Sequence, residues 1–302
     1  MGQPRRDRGR SKGAVPLLHS CGVRRTGAIA LLAAAVGTAG AVEPPVQPAM
    51  QEWRLADMAQ EIRNPIAQLL QFPFELDGDG HVGPDRAGEQ VHLDLKSIVP
   101  IPLGPRWTLI SWSKIPIYQQ QDVHGDSGTQ VGLSNTQLRF FVSPARVRRG
   151  LLQEGFIWGL GPMLTLPTTN PQIGAEQTSG GFDASVCWQG RPFSVGLLAY
   201  QIFGFAGPGT RTNEAYLQPF LSYTTASAWS ATLNTESEYF WTSGAWEVPI
   251  NLQVSKLLKL AGLHLSFLLG ARYWASAPDS SPHGWGGRAS VTLVLPDLLE
   301  GD

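Results

Sequence analysis

The sequence is poor in cysteine, in charge and in long apolar runs. It contains 2 cysteines in 302 residues, and charged residues make up 16% of the chain, against roughly 25% in an average soluble domain. Beyond the N-terminus no run of about 20 apolar residues occurs, which argues against a helical membrane protein. Glycine, proline and tryptophan are abundant instead, with 34, 23 and 10 copies. This composition favours turn-rich β-structure over helices.

The N-terminus has the pattern of a secretory signal. Arg24 and Arg25 precede the apolar run TGAIALLAAAVGTAGA, which ends in a small-x-small pattern at Ala41. We expect a cleaved signal peptide over residues 1–41 and export by the general secretory route. A lipoprotein signal ending at Cys21 and a twin-arginine signal are alternatives that fit the residues less well.

Removal of the signal makes the chain acidic. Seven basic residues and one acidic residue would leave, so 23 − 7 = 16 basic and 24 − 1 = 23 acidic residues remain, a net charge of −7. This argues against nucleic acid as a partner, because nucleic-acid binding needs a basic patch. Cys187 would be the one remaining cysteine, so hydrogen bonds and burial must hold the fold without a disulfide.

Residues 42–67 form a segment of a different kind. Apolar residues recur there at three- and four-residue steps, which predicts a short amphipathic helix that Pro65 breaks or kinks. The helix could cap the main domain or plug it. The apolar positions are Leu55, Met58, Ile62, Ile66 and Leu69.

From residue 68 to residue 296 the sequence alternates between apolar and polar residues, separated by turns. The strips VHLDLKSIV, FDASVCW and WEVPINLQVS each place apolar side chains on one face and polar side chains on the other. A period of two is the spacing of a β-strand. We expect about twelve strands, within a range of 10 to 14.

Alternation fits both a soluble β-sandwich and a membrane barrel. The strands here look about 9–13 residues long, enough for a tilted membrane crossing. Tryptophans at strand ends suit the two lipid interfaces, and a sheet crosses lipid only as a closed barrel. The sequence therefore predicts an all-β fold, a closed antiparallel transmembrane β-barrel in the outer membrane of a Gram-negative bacterium. The predicted interface aromatics are Trp158, Trp229, Trp241, Trp246, Trp274 and Trp285.

The polar faces of these strands should line the interior of the barrel. Their charges have both signs, so they could pair and fill the interior, or they could set the selectivity of a pore. A barrel of about twelve strands predicts a narrow or plugged pore. The lumen-lining candidates are His92, Asp94, Lys96, Arg139, Glu236, Glu238, Glu247, Asn251, Gln253, Arg272 and Arg288.

Three local patterns resemble catalytic or metal sites but fit a plainer interpretation better. HGDSG at His124–Gly128 resembles a serine-protease motif without its following residues, and a polar loop is expected. DGDGHVGPD at Asp77–Asp85 lacks the glycine and glutamate of a calcium loop, so a glycine- and aspartate-rich turn is expected. An outer-membrane lipase needs an outward Ser–His pair, whereas His264 and Ser266 should face the lumen. We therefore predict no catalytic residues, no metal and no cofactor.

The strip GFIWGLGPMLTLPT combines an apolar face with glycine and proline. Phe156–Leu166 should face lipid at alternate positions, whereas Gly159 and Gly161 line the interior. Pro162 removes a hydrogen-bond donor where a closed barrel has no free edge. The sequence predicts a β-bulge at Gly161–Pro162.

The order of motifs also resembles a known family. The strings LADMAQEIRNPIAQLLQFPF, IVPIPL, WTLISWSKIPI, IWGLGPMLTLPTT and WEVPINLQVSKLLKL are similar to the bacterial outer-membrane transporters grouped with the meta-pathway of phenol degradation, some labelled neuromedin U. The resemblance covers nearly all of the chain after the signal. It implies an outer-membrane barrel that transports a small-molecule solute, with outer-membrane lipid and the assembly machinery as partners. Residues 297–302 would form a C-terminal tail.

Overall fold

The computed structural model describes residues 48–124, 127–145, 152–209 and 211–295. The predicted signal peptide and C-terminal tail lie outside these residues. One helix, α1 (Pro48–Glu61), precedes fourteen strands, and among the described residues no helix is long and apolar enough to cross a membrane. The strands are β1 (Leu70–Val82), β2 (Gly88–Pro102), β3 (Trp107–Gln121), β4 (Thr129–Leu133), β5 (Thr136–Pro144), β6 (Gly155–Leu166), β7 (Thr178–Gly190), β8 (Phe193–Ala206), β9 (Asn213–Thr224), β10 (Trp229–Thr235), β11 (Ser237–Phe240), β12 (Ala245–Leu260), β13 (Leu263–Ser276) and β14 (Gly284–Leu295).

The strands form one closed antiparallel barrel. Neighbouring strands pair in sequence order except for β4 with β5 and β10 with β11, and β1 pairs with β14 to close the sheet. Both β4 and β5 pair with β3, separated by a register shift of one residue, because Ile117 pairs with Leu133 but Lys114 pairs with Gln137. Likewise β10 and β11 lie between β9 and β12 in one continuous register. Counting each of these two pairs as one strand gives twelve, which confirms the predicted barrel.

The apolar face of the barrel points outward. On β7 the side chain of Phe182 is 76% exposed and that of Trp188 is half exposed, whereas Asp183, Ser185 and Cys187 between them are buried. A soluble β-sandwich would bury the apolar face instead. The barrel wall therefore presents a continuous apolar surface and encloses a polar interior, as a lipid-embedded barrel must.

The two ends of the barrel differ in their connections. At the end where β1 begins and β14 ends, here the terminus end, four of the five connections are short and the fifth spans residues 145–154. At the opposite end, the long-loop end, connections run over 122–128, 167–177 and 277–283. Outer-membrane barrels keep short turns in the periplasm and long loops outside. This asymmetry suggests that the terminus end is periplasmic.

The N-terminal segment closes the terminus end. Helix α1 contacts β9, β10 and β12, and the following residues 62–69, here the plug segment, enter the barrel. The helix ends because Pro65 cannot donate a backbone hydrogen bond, and Asn64 Oδ1 accepts one from the amide of Ile66 to turn the chain. An apolar cluster holds the helix against the barrel: Met58, Ala59, Leu69, Ala228, Leu257 and Val294.

The predicted bulge at Gly161–Pro162 is wrong. The register between β6 and β7 is unbroken from Gly155 to Thr165, and no register shift occurs between β5 and β6. Instead, ladder pairs are missing opposite Phe140 and Phe141, where Pro162 has no donor to offer. A Cβ on Gly161 would lie 1.8 Å from the carbonyl oxygen of Phe140. The glycine therefore allows the two strands to approach closely, and the proline is accommodated without an extra residue.

Candidate functional site

The barrel encloses a cavity of about 520 Å³. On the side of the terminus end its boundary is the plug segment, with Ile62, Arg63, Asn64 and Pro65 in contact with it. On the side of the long-loop end Ile173 and residues 280–282 lie against it. Both boundaries are segments without strand structure. The cavity is thus a section of the lumen between two non-barrel segments.

Part of the barrel interior beside the plug segment is apolar, and we name this part the apolar ring. Ile66 is fully buried there, and its partners come from strands β2 to β9. The sequence analysis assigned a uniformly polar lining and missed this ring. Unbroken apolar runs such as FFV at Phe140–Val142 were the signal, since such a run places one apolar side chain inward. The ring consists of Ile98, Ile110, Phe141, Ile157, Cys187, Leu198 and Phe220.

Polar side chains at the end of α1, directly before the plug segment, anchor it beside the β7–β8 turn. Gln60 Nε2 donates to the carbonyl of Phe193 at 2.9 Å and to Ser194 Oγ at 3.2 Å. Glu61 is fully buried, and its Oε2 accepts from Gln189 Nε2 at 3.0 Å. Buried polar groups of this kind cost free energy unless they are paired. Their pairing therefore specifies where the plug segment sits.

A surface ion pair completes the attachment. The guanidinium of Arg191 donates to both carboxylate oxygens of Asp57, at 2.7 and 2.8 Å, and also to Glu154. These hydrogen bonds, first of all those with Asp57, raise the pKa of Arg191.

Inside the barrel, burial lowers the pKa of Arg63 to about 10. Both arginines remain charged at neutral pH.

The densest charge network joins β1, β13 and β14 to the junction of β10 and β11. Arg288 donates to Asp77 at 2.7 and 2.8 Å and to Glu236 at 2.7 and 3.0 Å. Arg272 donates to Asp79 at 3.1 Å and to Asp77 at 3.0 Å. Two cations and three anions are thus paired within one buried network, which holds strands of the barrel together.

A second network lies on β1 to β3. Lys96 Nζ lies 2.5 Å from Glu75 Oε1 and 3.4 Å from Asp94 Oδ2. His92 Nε2 lies 3.2 Å from Asp77 Oδ2, and the ring of His92 stacks on that of Tyr118 at 4.6 Å. The first network therefore continues into the second through Asp77. Together they line one side of the cavity.

The opposite side of the cavity is aromatic. Arg139 forms a buried ion pair with Asp183, and its guanidinium lies 4.8 Å from the ring of Trp112 and 5.3 Å from that of Tyr200. Tyr200 in turn stacks on Tyr216 with 4.7 Å between ring centroids. The cationic side chain is therefore held between aromatic faces, as cation–π contacts favour.

The predicted lumen residues come together in this cavity. Ten of them line it: His92, Asp94, Lys96, Arg139, Glu236, Glu238, Glu247, Gln253, Arg272 and Arg288. Asn251 is buried beside them, and its Oδ1 accepts from Arg272 at 2.9 Å. The sequence analysis missed the partners Glu75, Asp77 and Asp183. It placed Asp77 and Asp79 in a turn, which is wrong: both lie on β1 and face the arginines.

The six predicted interface aromatics do not all lie on the outer surface of the barrel. Trp229, Trp241, Trp246 and Trp285 are exposed on the outer wall, and Trp158 is half buried against Trp107. The placement of Trp274 is a correction, because its Nε1 donates to Asp79 at 2.8 Å and its side chain lines the cavity. It has the same parity as Arg272 on β13, so it must point inward, and its neighbour Tyr273 takes the outer position beside Trp285.

The weaker motifs gain no support. Ser266 is buried inside the barrel on the inward face of β13, which His264 shares. His124 and Ser127–Gly128 lie in the connection between β3 and β4, and Gly125–Asp126 lie outside the described residues. Within the described ranges no group of three or more potential ligands is placed to hold a metal ion.

Comparison with known proteins yields likeness in structure alone. No family model matches the sequence, and no curated protein matches it. A crystal structure of an outer membrane channel from Pseudomonas putida F1 superposes with a TM-score of 0.58 at 13% identity, covering 77% of this chain and 97% of that one. Outer membrane phospholipase A from Escherichia coli gives 0.43 at 14% identity over 82% and 99%. The KdgM porin in complex with disordered oligogalacturonate gives 0.44 at 12% identity over 74% and 98%. This chain has the fold of an outer-membrane β-barrel.

Proposed function

We propose that the protein is an outer-membrane channel for the passive uptake of small solutes. One observation carries this proposal: a polar cavity lies inside a barrel whose outer wall is apolar. Charged groups buried in an interior cost free energy unless they are paired, hydrogen-bonded or solvated. A water-containing path through the barrel gives these charges a solvated environment.

The plug segment makes the channel a closed one in this conformation. We infer that Ile66, which packs against the apolar ring, blocks the passage of solutes larger than water until residues 62–69 move. Those residues belong to no strand, and they can leave without loss of a ladder hydrogen bond. We infer that transport requires displacement of the plug segment while the barrel remains intact.

The class of solute is inferred from two features. The sequence resembles transporters grouped with phenol degradation, which supports aromatic or apolar compounds. The apolar ring supports the same class, because a solute passing it would contact isoleucine and phenylalanine side chains. A lipase is the weaker alternative, since the pair His264 and Ser266 faces the lumen and not the lipid.

Single-channel recording in planar bilayers tests the proposal. We expect rare or small openings from the mature protein, and a larger stable conductance from a variant that lacks residues 42–68. The competing function is a structural barrel with a filled lumen. If neither protein conducts, although both show the heat-dependent gel shift of a folded barrel, the channel proposal is wrong.

Location needs a separate test. Fractionation of cells that express the full sequence should recover the protein with the outer membrane, and its mass should correspond to cleavage after Ala41. Recovery as a soluble periplasmic protein would contradict the proposed location. Outer-membrane lipid and the barrel assembly machinery are the partners that this proposal includes.

A further inference from the structure

The carboxylates of the lumen are not all neutralised. Glu75, Asp77, Asp79, Asp94, Asp183 and Glu236 each lie within 4 Å of a basic side chain. Glu238 and Glu247 are different, because among the described residues no basic side chain lies that close to either. We name these two, with their neighbour Glu214, the acid wall.

The acid wall is a compact feature of three adjacent strands. Glu238 on β11 pairs directly with Glu247 on β12, and Glu214 on β9 lies two residues before Tyr216, the register partner of Glu238. Their hydrogen-bond donors are neutral: Tyr200 Oη donates to Glu238 at 3.0 Å, and Ser281 Oγ donates to Glu247. Like charges opposite each other on neighbouring strands destabilise a sheet. A cation in the cavity would relieve this repulsion.

An aromatic surface adjoins the acid wall. Tyr216 pairs with Glu238 across β9 and β11, and it stacks on Tyr200 with an interplanar angle of 4°. Arg139 lies over the ring of Tyr200, and Tyr216 is the member of the stack on the strand next to Glu238. Aromatic faces attract cations and stack on planar rings. The site therefore offers a negative charge and an aromatic face together.

A second, independent observation points to a ligand. Asp94 Oδ1 and Asn234 Oδ1 line the same cavity, and neither accepts a hydrogen bond from any described residue. The two residues are 4% and 6% exposed, so bulk solvent does not reach them freely. Both atoms are acceptors, and they require a donor from within the cavity. Nitrogen atoms without a partner among the described residues line the cavity as well, on Arg63, Gln71, His92, Arg139 and Gln253. The charge of Arg139 is balanced by Asp183.

We propose that the lumen cavity is a binding site for small organic cations. Glu238 and Glu247 of the acid wall would hold a protonated amine, which donates three hydrogen bonds, and Tyr216 would contact the apolar or aromatic body of the ligand. The cavity volume of about 520 Å³ lies in the range of about 300–1,000 Å³ typical of small-molecule sites. This inference rests on the proposed channel function, and it narrows the solute class to amines with an apolar part.

Isothermal titration calorimetry on the refolded mature protein tests the site. The probes are 2-phenylethylamine, 2-phenylethanol and phenylacetate, which share one ring and differ in charge. We expect the amine to bind at least about tenfold more tightly than the alcohol, and phenylacetate to bind most weakly. Equal binding of the three probes, or no measurable binding of any, overturns the proposal.

Substitutions locate the site. Glu238→Gln and Glu247→Gln should each weaken amine binding roughly 10- to 100-fold and leave the alcohol unchanged, because a charged hydrogen-bond partner is lost. Glu238→Asp keeps the charge and should retain most of the preference. The control is Glu89→Gln, which removes the same charge from an exposed position near the long-loop end. Loss of amine binding in the control alone, or in none of the variants, contradicts the assignment.

Calorimetry does not depend on passage through the barrel. A protein that binds the amine but never conducts would refute the channel and retain this site. A conducting protein without preference for the amine would refute the site and retain the channel. The heat-dependent gel shift of each variant shows whether it has folded.

Discussion

The two halves of the barrel interior are built by different means. Towards the terminus end Ile66 packs against the apolar ring, and hydrogen bonds of Gln60 and Glu61 lie beside it. Towards the long-loop end the interior is a connected set of arginines, lysines and carboxylates, in which Arg288 contacts both Asp77 and Glu236. Apolar packing fixes a removable segment, whereas ion pairs fix the wall itself.

This difference separates two properties of the molecule. Contacts of the plug segment hold it in place without joining neighbouring strands, so their loss should open the lumen and spare the barrel. The ion pairs join side chains of different strands, so their loss should weaken the barrel and leave the plug segment in place. Each substitution below changes one half only.

The largest effect is expected from Arg288→Met in the charged half. The substitution leaves Asp77 and Glu236 buried without their main partner, and removal of one member of a buried pair costs about 3–5 kcal/mol. Urea unfolding of the refolded barrel measures this loss of stability. The matched control is Arg191→Met: the side chain of Arg191 is 44% exposed, so the change should be smaller than about 1 kcal/mol. Equal losses in both variants would mean that the interior network does not stabilise the wall.

Ile66→Ala is the corresponding change in the apolar half. Truncation of a fully buried isoleucine costs about 2–5 kcal/mol. Here this loss lowers the free energy that holds the plug segment inside the barrel. Cys187 belongs to the same ring and is 1% exposed, so its reaction with a small thiol reagent reports opening. We expect labelling to be at least about 30-fold faster.

A graded control accompanies this experiment. Ile66→Val removes one methylene and should cost about 0.5–1.5 kcal/mol, so its labelling rate should fall between those of Ile66→Ala and the unchanged protein. Urea stability of the barrel should stay the same in both variants. Labelling that is as slow in Ile66→Ala as in the unchanged protein would show that the ring does not hold the plug segment.

The strands of the barrel were predictable from sequence to a much greater degree than the side-chain contacts inside it. Alternation in strips such as WEVPINLQVS reflects a physical rule, that neighbouring side chains on a strand face opposite solvents. The number of strands follows from it, and so does the inward placement of Arg272 and Arg288. The same rule, applied to parity on β13, would have placed Trp274 inside; its position near a strand end was given too much weight.

The contents of the barrel depend on contacts between distant residues. Ile66 meets Cys187 and Phe220 only after the sheet closes, and no local pattern records that meeting. Gly161 is similar: its smallness was noticed, but the approach of the Phe140 carbonyl that requires it belongs to another strand. The pairing of Asp77 with arginines more than 190 positions away likewise appears only in the folded barrel.

Gly159→Ala tests the fit between wall and plug segment. A Cβ at this position would lie 3.2 Å from Ile66 Cδ1 and 3.3 Å from Phe141 Cβ, closer than ordinary contact. Overpacking of this kind costs about 1 kcal/mol at its lower limit, so Cys187 labelling should rise about fivefold. Gly80→Ala is the control, since nothing lies within 4 Å of its added Cβ. An unchanged labelling rate in Gly159→Ala would show that the ring adapts and that its fit is loose.

The smallest effect concerns the surface ion pair between Asp57 and Arg191. A double-mutant cycle of Asp57→Asn and Arg191→Gln, read from Cys187 labelling, should give a coupling free energy of about 0.2–1 kcal/mol, because exposed pairs are weak. The coupling should fall in high salt, since screening shortens the range of exposed charges. A coupling free energy above about 2 kcal/mol that persists in high salt would contradict the distinction between a plug segment held by apolar packing and a barrel held by ion pairs. The plug segment would then be held by charge, as the wall is, and the apolar ring would only fill space.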